Sequence, residues 1–254
     1  SLGSAEDKYS DSEEPVYLAG GMTLIPTLKQ RLARPSDVID LGGIEGLVGV
    51  EDNVGVLIIK AMTTHSEVAS SSKVISKIPS LASLAGGIGD PHVRNKGTIG
   101  GSIANNDPAA DYPAALLGLD STIVTTRREI SADEFFVGMF ETCLEEGELI
   151  SSVRFSVPQV SAYMKFPNPA SRYAIVGVLV ARFEEQVRVA VTGAGASVFR
   201  VTEMERALVA DFSANAIEGI AVSPDELNDD IHAGQEYRAN LVSVMAARAV
   251  EACS

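Results

Sequence analysis

The stretch that decides the fold is LAGGMTLIP, Leu18–Pro26. Leu18 and Ala19 close a short apolar run from Val16 that reads as a buried strand. Thr23 to Ala33 reads as a helix, with Leu24, Leu28 and Leu32 on one face and Pro26 tolerated in the first turn. Gly20 and Gly21 therefore stand where a strand becomes a helix, ahead of Met22 and Thr23. Glycine adopts backbone conformations that other residues avoid, and it has no side chain to hold a ligand away. Successive N–H groups can then converge on an anion, with the positive end of a helix behind them. A phosphate cradle is one reading. On this stretch alone, a tight turn chosen for chain geometry accounts for the glycines better.

A second stretch shifts the balance. Ala85 to Asp120 holds seven of the chain's 22 glycines and has little regular period, so it is expected to be a loop. Long ordered loops inside domains are usually functional. Within it, Thr98-Ile99-Gly100-Gly101-Ser102 repeats the small–small–hydroxyl character of the first stretch. Two glycine-rich turns could hold the two phosphates of one dinucleotide. Asp111 could accept a hydrogen bond from a sugar or ribityl hydroxyl; taken alone, a first-turn acid favoured by the helix dipole explains it better.

The remaining chain reads as alternating elements. Strands are expected at Asp37–Leu41, Val54–Lys60, Ser121–Thr126 and Ile150–Val157, and helices at Thr64–Ala69, about Ser76–Ala85 and Pro108–Leu119. Thr64 and Glu67 have capping-box spacing, and His65 is expected to be a surface or cap residue. Tyr173–Phe183 and Val187–Thr192 read as paired strands around Glu184-Glu185-Gln186, and the last helix as about Gly234–Cys253. A boundary is placed at Pro158, between units 1–158 and 161–254. Gly193-Ala194-Gly195-Ala196-Ser197-Val198 approaches a dinucleotide fingerprint but lacks its third glycine, and reads as a turn.

Bulk properties exclude several classes. The 254 residues suffice for one large or two ordinary domains, and 46% hydrophobic with 21% charged residues is a globular composition. A net charge of −14 argues against nucleic acid or anionic membrane as the main partner. Cys143, Cys253, His65, His92 and His232 are scattered without metal-ligand spacing, and two distant cysteines suit a reducing cytoplasm. Arg94 and Lys96, in GDPHVRNKG, could touch phosphate or a partner subunit, or be ordinary solvated loop residues. No nucleophile–base pairing follows from sequence order.

LAGGMTLIP, then KQRLARPSDVIDLGGIEGL, then DPHVRNKGTIGGSIANNDPAADYPAALLGLDSTI closely resemble the FAD-binding medium subunit of the molybdenum hydroxylases, the carbon monoxide dehydrogenase and xanthine dehydrogenase group. The likeness extends through AYMKF, SRYAIVGVLVA, VTGAG and DIHAGQEYRANLVSVMAARAV. It implies an α+β fold: a two-part FAD-binding domain of the vanillyl-alcohol-oxidase type, then a C-terminal domain with a three-stranded antiparallel sheet and a helical bundle. It also implies that roughly one more strand and helix precede Ser1. By motif, Ala19, Gly20, Gly21, Met22 and Thr23, with Thr98, Ile99, Gly100, Gly101 and Ser102, would hold the pyrophosphate through backbone N–H groups and hydroxyls, and the flanking Leu18 and Leu24 would also contact the cofactor. Asp111 would serve the ribityl and phosphate region, and Ile88 or Gly89 would approach the adenine or ring system. Ile150 and Lys165 would lie near the isoalloxazine, with Tyr173 a candidate for its face.

Met22 and Ser102 depart from the His or Gln and the Asn that many members carry, and one flavin or phosphate contact is in doubt there. The iron–sulfur insertion of the hydroxybenzoyl-CoA reductase branch is absent. The implied role is a relay. A large subunit carries the molybdenum cofactor, a small subunit carries two [2Fe–2S] clusters, and an external acceptor (NAD, oxygen or a quinone) takes the electrons. The expected assembly is a heterohexamer in the cytoplasm or at the inner face of the membrane. A stand-alone flavin oxidoreductase, or an assembly subunit that has lost FAD, are the alternatives.

Overall fold

A computed structural model describes residues 1–253. The chain opens with α1 (Leu2–Ser10), followed by β1 (Pro15–Leu18), α2 (Leu24–Lys29) and β2 (Asp37–Asp40). β1 and β2 pair in parallel, Leu18 opposite Asp40. α2 is shorter than the apolar spacing predicts: it stops before Gln30, and Arg31 takes a left-handed φ of 59°. It buries no residue completely, and Leu32 beyond it is 75% exposed, so little apolar burial supports a longer helix.

β3 (Val50–Asn53) and β4 (Val56–Lys60) form a hairpin turning at Val54-Gly55, so the strand expected from Val54 begins two residues later. Three helices follow: α3 (His65–Ser70), α4 (Ser72–Lys77) and α5 (Pro79–Gly86). The Thr64 capping box forms as expected, but Pro79 splits the helical stretch around Ile78. The glycine-rich segment is not the predicted loop. It contains α6 (Pro91–Arg94), α7 (Ile99–Asn105) and α8 (Tyr112–Gly118). Thr98 caps α7, and Ile99 and Ile103, four residues apart, face the core. That two-residue apolar signal is submerged among Gly, Ser, Ala and Asn.

β5 (Thr122–Thr125), β6 (Glu129–Ser131), α9 (Ala132–Phe135), β7 (Phe136–Gly138), β8 (Glu141–Thr142) and β9 (Ile150–Ser156) complete the first half. The order β3-β4-β9-β5-β6 makes a five-stranded sheet, antiparallel throughout. Leu57 and Ile59 on β4 and Val153 and Phe155 on β9 are wholly buried beneath the helices.

β10 (Val160–Pro167), β11 (Ala174–Arg182), β12 (Val187–Thr192) and the two-residue β13 (Phe199–Arg200) form a second antiparallel sheet in that order. β11 and β12 pair around Glu184–Gln186 as the sequence predicts. α10 (Thr202–Ala210), two single 3₁₀ turns and α11 (Gln235–Ala252) cover it. β11 is apolar along nearly its whole length because both faces are covered. Leu179 and Ala181 join the core under α8, while Val176, Val178 and Val180 join the core under α11. α8 lies so close that a Cβ on Gly118 would stand 2.4 Å from Leu179 Cδ2. Among the described residues, no helix is long and apolar enough to cross a membrane.

Candidate functional site

The two glycine stretches, about eighty residues apart in sequence, lie against each other. A Cβ on Gly20 would stand 2.0 Å from the Lys96 carbonyl oxygen and 2.9 Å from Gly97 Cα. A Cβ on Gly101 would be 3.2 Å from Ala19 Cβ, and one on Gly100 would be 2.7 Å from the Ala61 carbonyl oxygen. Glycine is required at 20 and 100 because backbone occupies the space a side chain would take. Gly21 adds a φ of 71°, which turns the chain between β1 and α2.

Around this contact opens a cavity of about 840 Å³, at the upper end of the range of small-molecule sites. Ala19, Gly20, Gly21, Met22, Thr23, Leu24, Ile88, Gly89, Thr98, Gly100, Gly101, Ser102, Asp111, Ile150 and Tyr173 all line it. Leu18 and Lys165 do not. Leu18 packs beneath the glycine loop, with its Cδ1 3.1 Å from where a Gly21 Cβ would be. Both Met22, 38% exposed, and Tyr173, 44% exposed, line the cavity.

The stretches differ in what they offer a ligand. The N–H groups of Gly20, Gly21 and Met22 have no acceptor among the described residues. Those of Ile99, Gly100, Gly101 and Ser102 are engaged, by Thr63 O, Ala61 O, Thr98 Oγ1 and Thr98 O respectively. The first loop therefore supplies free backbone donors. The second supplies room and the Ser102 hydroxyl.

Asp111 is 4% exposed and fully engaged from behind. The Tyr163 hydroxyl donates to its Oδ1 at 2.5 Å, and Lys165 Nζ lies 3.0 and 3.1 Å from its two oxygens. Burial raises the Asp111 pKa, and Lys165 and Tyr163 offset part of that rise. Lys165 also donates to Gly87 O and Arg172 O. It fastens the Gly87–Gly89 turn, α8 and the loop before β11 into one wall. Arg94 contributes to the same wall: its Nη1 donates to Ile88 O and Gly89 O, while Arg172 Nη1 also donates to Gly89 O. The second sheet holds the approach to Asp111 in place, with Thr192 Oγ1 donating to Ala110 O at 2.6 Å and Ala174 N–H to Ala109 O.

Sequence reasoning missed two parts of the wall. The acidic segment Thr142 to Leu149 lines the cavity beside β1. Tyr17, its phenol pushed up to about 12 by burial and then by the Glu6 charge, donates to Gly147 O. Burial would raise Glu148, but hydrogen bonds from Arg128, the Glu145 N–H and the Thr125 hydroxyl overcome it and hold the carboxyl at about 2. No local pattern announces that this loop reaches the glycine turn. The other is His65. It is not a surface residue: it is 4% exposed and lines the cavity. Burial, then the Arg94 charge, draws it down to about 4, so the imidazole is neutral near pH 7. Its capping-box neighbours gave it a cap-like signature that hid the burial.

These features fit a phosphate-bearing dinucleotide: a large cavity, a double-glycine loop with three consecutive free N–H groups, and a buried carboxylate.

Comparison with known proteins agrees. Residues 1–159 match the family described as the FAD binding domain in molybdopterin dehydrogenase. The chain is 34% identical to the nicotine 6-hydroxylase medium subunit of Paenarthrobacter nicotinovorans, over 98% of this chain and 93% of that one. It is 32% identical to the carbon monoxide dehydrogenase medium chain of Hydrogenophaga pseudoflava, over 92% and 88%. The solved carbon monoxide dehydrogenase of Hydrogenophaga pseudoflava that lacks the Mo-pyranopterin moiety superposes with a TM-score of 0.91 at 31% identity, covering 100% of this chain and 94% of that one.

Proposed function

The chain belongs to the FAD-binding family of the molybdopterin dehydrogenases, and from that premise we propose that it is the relay subunit of a three-component molybdenum hydroxylase. Substrate is oxidised at a molybdenum cofactor on a large partner subunit. Electrons pass through two [2Fe–2S] clusters of a small partner subunit to this chain, and leave to an external acceptor such as NAD, oxygen or a quinone. FAD held here would supply the redox chemistry of electron acceptance and release, while the residues of this chain bind and orient it.

The observation that carries this reading is the free N–H row at Gly20, Gly21 and Met22, opening into a cavity walled by Asp111. Residues of this chain bind and orient. The Gly20–Gly21 loop donates hydrogen bonds to phosphate oxygens, and Ser102 adds a hydroxyl. Asp111, held by Tyr163 and Lys165, presents a fixed carboxylate edge to a hydroxyl of the ligand. Lys165 acts as the strut behind that carboxylate. Tyr173 covers the open side, with its phenol kept protonated by burial and by Asp107 and Asp111. The units 1–158 and 161–254 divide the work: the first cradles the dinucleotide, and the second braces the Asp107–Asp111 loop. The assembly is a heterohexamer of two such three-subunit sets.

An absorbance spectrum of the native complex, purified through this chain, tests the proposal. A flavin band with iron–sulfur absorption and co-purifying large and small subunits is expected. Flavin alone, with substrate turnover by this chain, would replace the relay with a stand-alone flavoenzyme. A folded chain that holds no flavin and cannot be reconstituted with FAD would refute both.

A further inference from the structure

His65 is a buried titratable group that the cradle as described leaves unused. It is the first residue of α3, and its backbone N–H donates to Gly97 O at 3.0 Å, tying α3 to the segment that leads into α7. The ring lies 5.3 Å from that of Tyr112, centroid to centroid. Nδ1 is enclosed with no hydrogen-bond partner, and no protein group bonds Nε2 among the described residues. Nε2 is on the Gly97 side: a Cβ at Gly97 would stand 2.5 Å from it. Gly97 in turn abuts Gly20. The imidazole therefore sits beside the contact between the two glycine stretches and lines the cavity, with Nδ1 enclosed and Nε2 not.

A buried polar ring without a partner costs free energy, and the cavity is the open space beside it. Placing the proton on Nε2 leaves only a lone pair unpaired in the closed pocket and aims the donor outward. We propose that His65 is an additional cofactor-contacting residue, its Nε2–H donating to an oxygen of the phosphate-bearing strand of the dinucleotide beside the Gly20–Gly21 loop. This rests on the FAD reading above. The neutral ring supplies a directed hydrogen bond, not a counter-charge. The same geometry explains Gly97, where a side chain would displace the ring.

The test is titration of FAD into the flavin-stripped full chain, followed by flavin fluorescence, for wild type, His65→Leu and His65→Gln. Loss of one hydrogen bond to a charged oxygen should weaken FAD binding about 10- to 100-fold in His65→Leu, with His65→Gln closer to wild type. A second readout does not depend on a variant folding. The imidazole ¹⁵N spectrum of wild type at pH 7 should show a neutral His65 protonated on Nε2, whose Nε2 resonance moves on FAD addition. Equal FAD affinity in wild type and His65→Leu, or an unmoved Nε2 resonance in FAD-saturated wild type, overturns the assignment while leaving the flavin site standing. Failure of wild type itself to take up FAD overturns both.

Discussion

Acid should expose the burial of His65 in a way that can be measured apart from its ligand. The unfolded chain titrates this imidazole near 6.5, and the folded chain near 4. Between those values the unfolded state binds the extra proton, so stability contributed by the neutral ring is complete above 6.5 and is lost as pH falls. From pH 7.5 to 5.0 the two titrations diverge by about 1.5 pK units, which is ~2 kcal/mol. The full 2.5-unit gap, reached below pH 4, corresponds to ~3 kcal/mol. His65→Leu has no proton to bind in either state, so its stability should escape this decline. Urea unfolding of the flavin-free chain at pH 7.5, 6.5, 5.5 and 5.0, for wild type and His65→Leu, isolates the effect. Other acids, such as Glu148 held near 2 and losing stability only below its ordinary 4.5, act equally in both proteins and cancel. The difference in unfolding free energy should move by ~2 kcal/mol in favour of the leucine variant between the extremes. Curves that stay parallel within about 0.5 kcal/mol, the usual limit of additivity, would refute the buried neutral imidazole.

Gly20→Ala should place a methyl 2.0 Å from the Lys96 carbonyl, with backbone on both sides, and so force the glycine loop away from Lys96–Gly97. A loss of about 1–3 kcal/mol in stability is expected, together with a drop in flavin bound per chain by absorbance. Gly43→Ala, where a Cβ meets nothing within 4 Å, is the matched control and should change neither. Lys165→Met strips the buried Asp111 of its cation and should cost ~3 kcal/mol at pH 8 by urea unfolding. Because Asp111 is already raised by burial, the folded variant gains a proton as pH falls, so the loss should shrink toward pH 5; adding Asp111→Asn should recover most of it. A loss independent of pH, or no recovery in the double variant, would show that Lys165 acts chiefly through Gly87 and Arg172.

Sequence alone determined the elements whose burial is one-dimensional. The apolar runs of β4, β11 and β12 and the capping box at Thr64 declare themselves locally, because strand period, turn residues and cap chemistry are properties of neighbouring residues. The paired AGG and TIGG motifs carry the family resemblance that implies FAD. The helical state of Ile99–Asn105 was not legible, since two isoleucines among small residues give too weak a period. Local order also could not say that Lys165 stands behind Asp111, that the Ile99–Ser102 N–H groups are spent internally while those of Gly20–Met22 are free, or that His65 is enclosed. Each depends on segments from Tyr17 to Thr192 arriving at one place. Burial, and the pKa and hydrogen-bond consequences that follow from it, are set by what packs against a residue from elsewhere in the chain, and only the tertiary structure decides that.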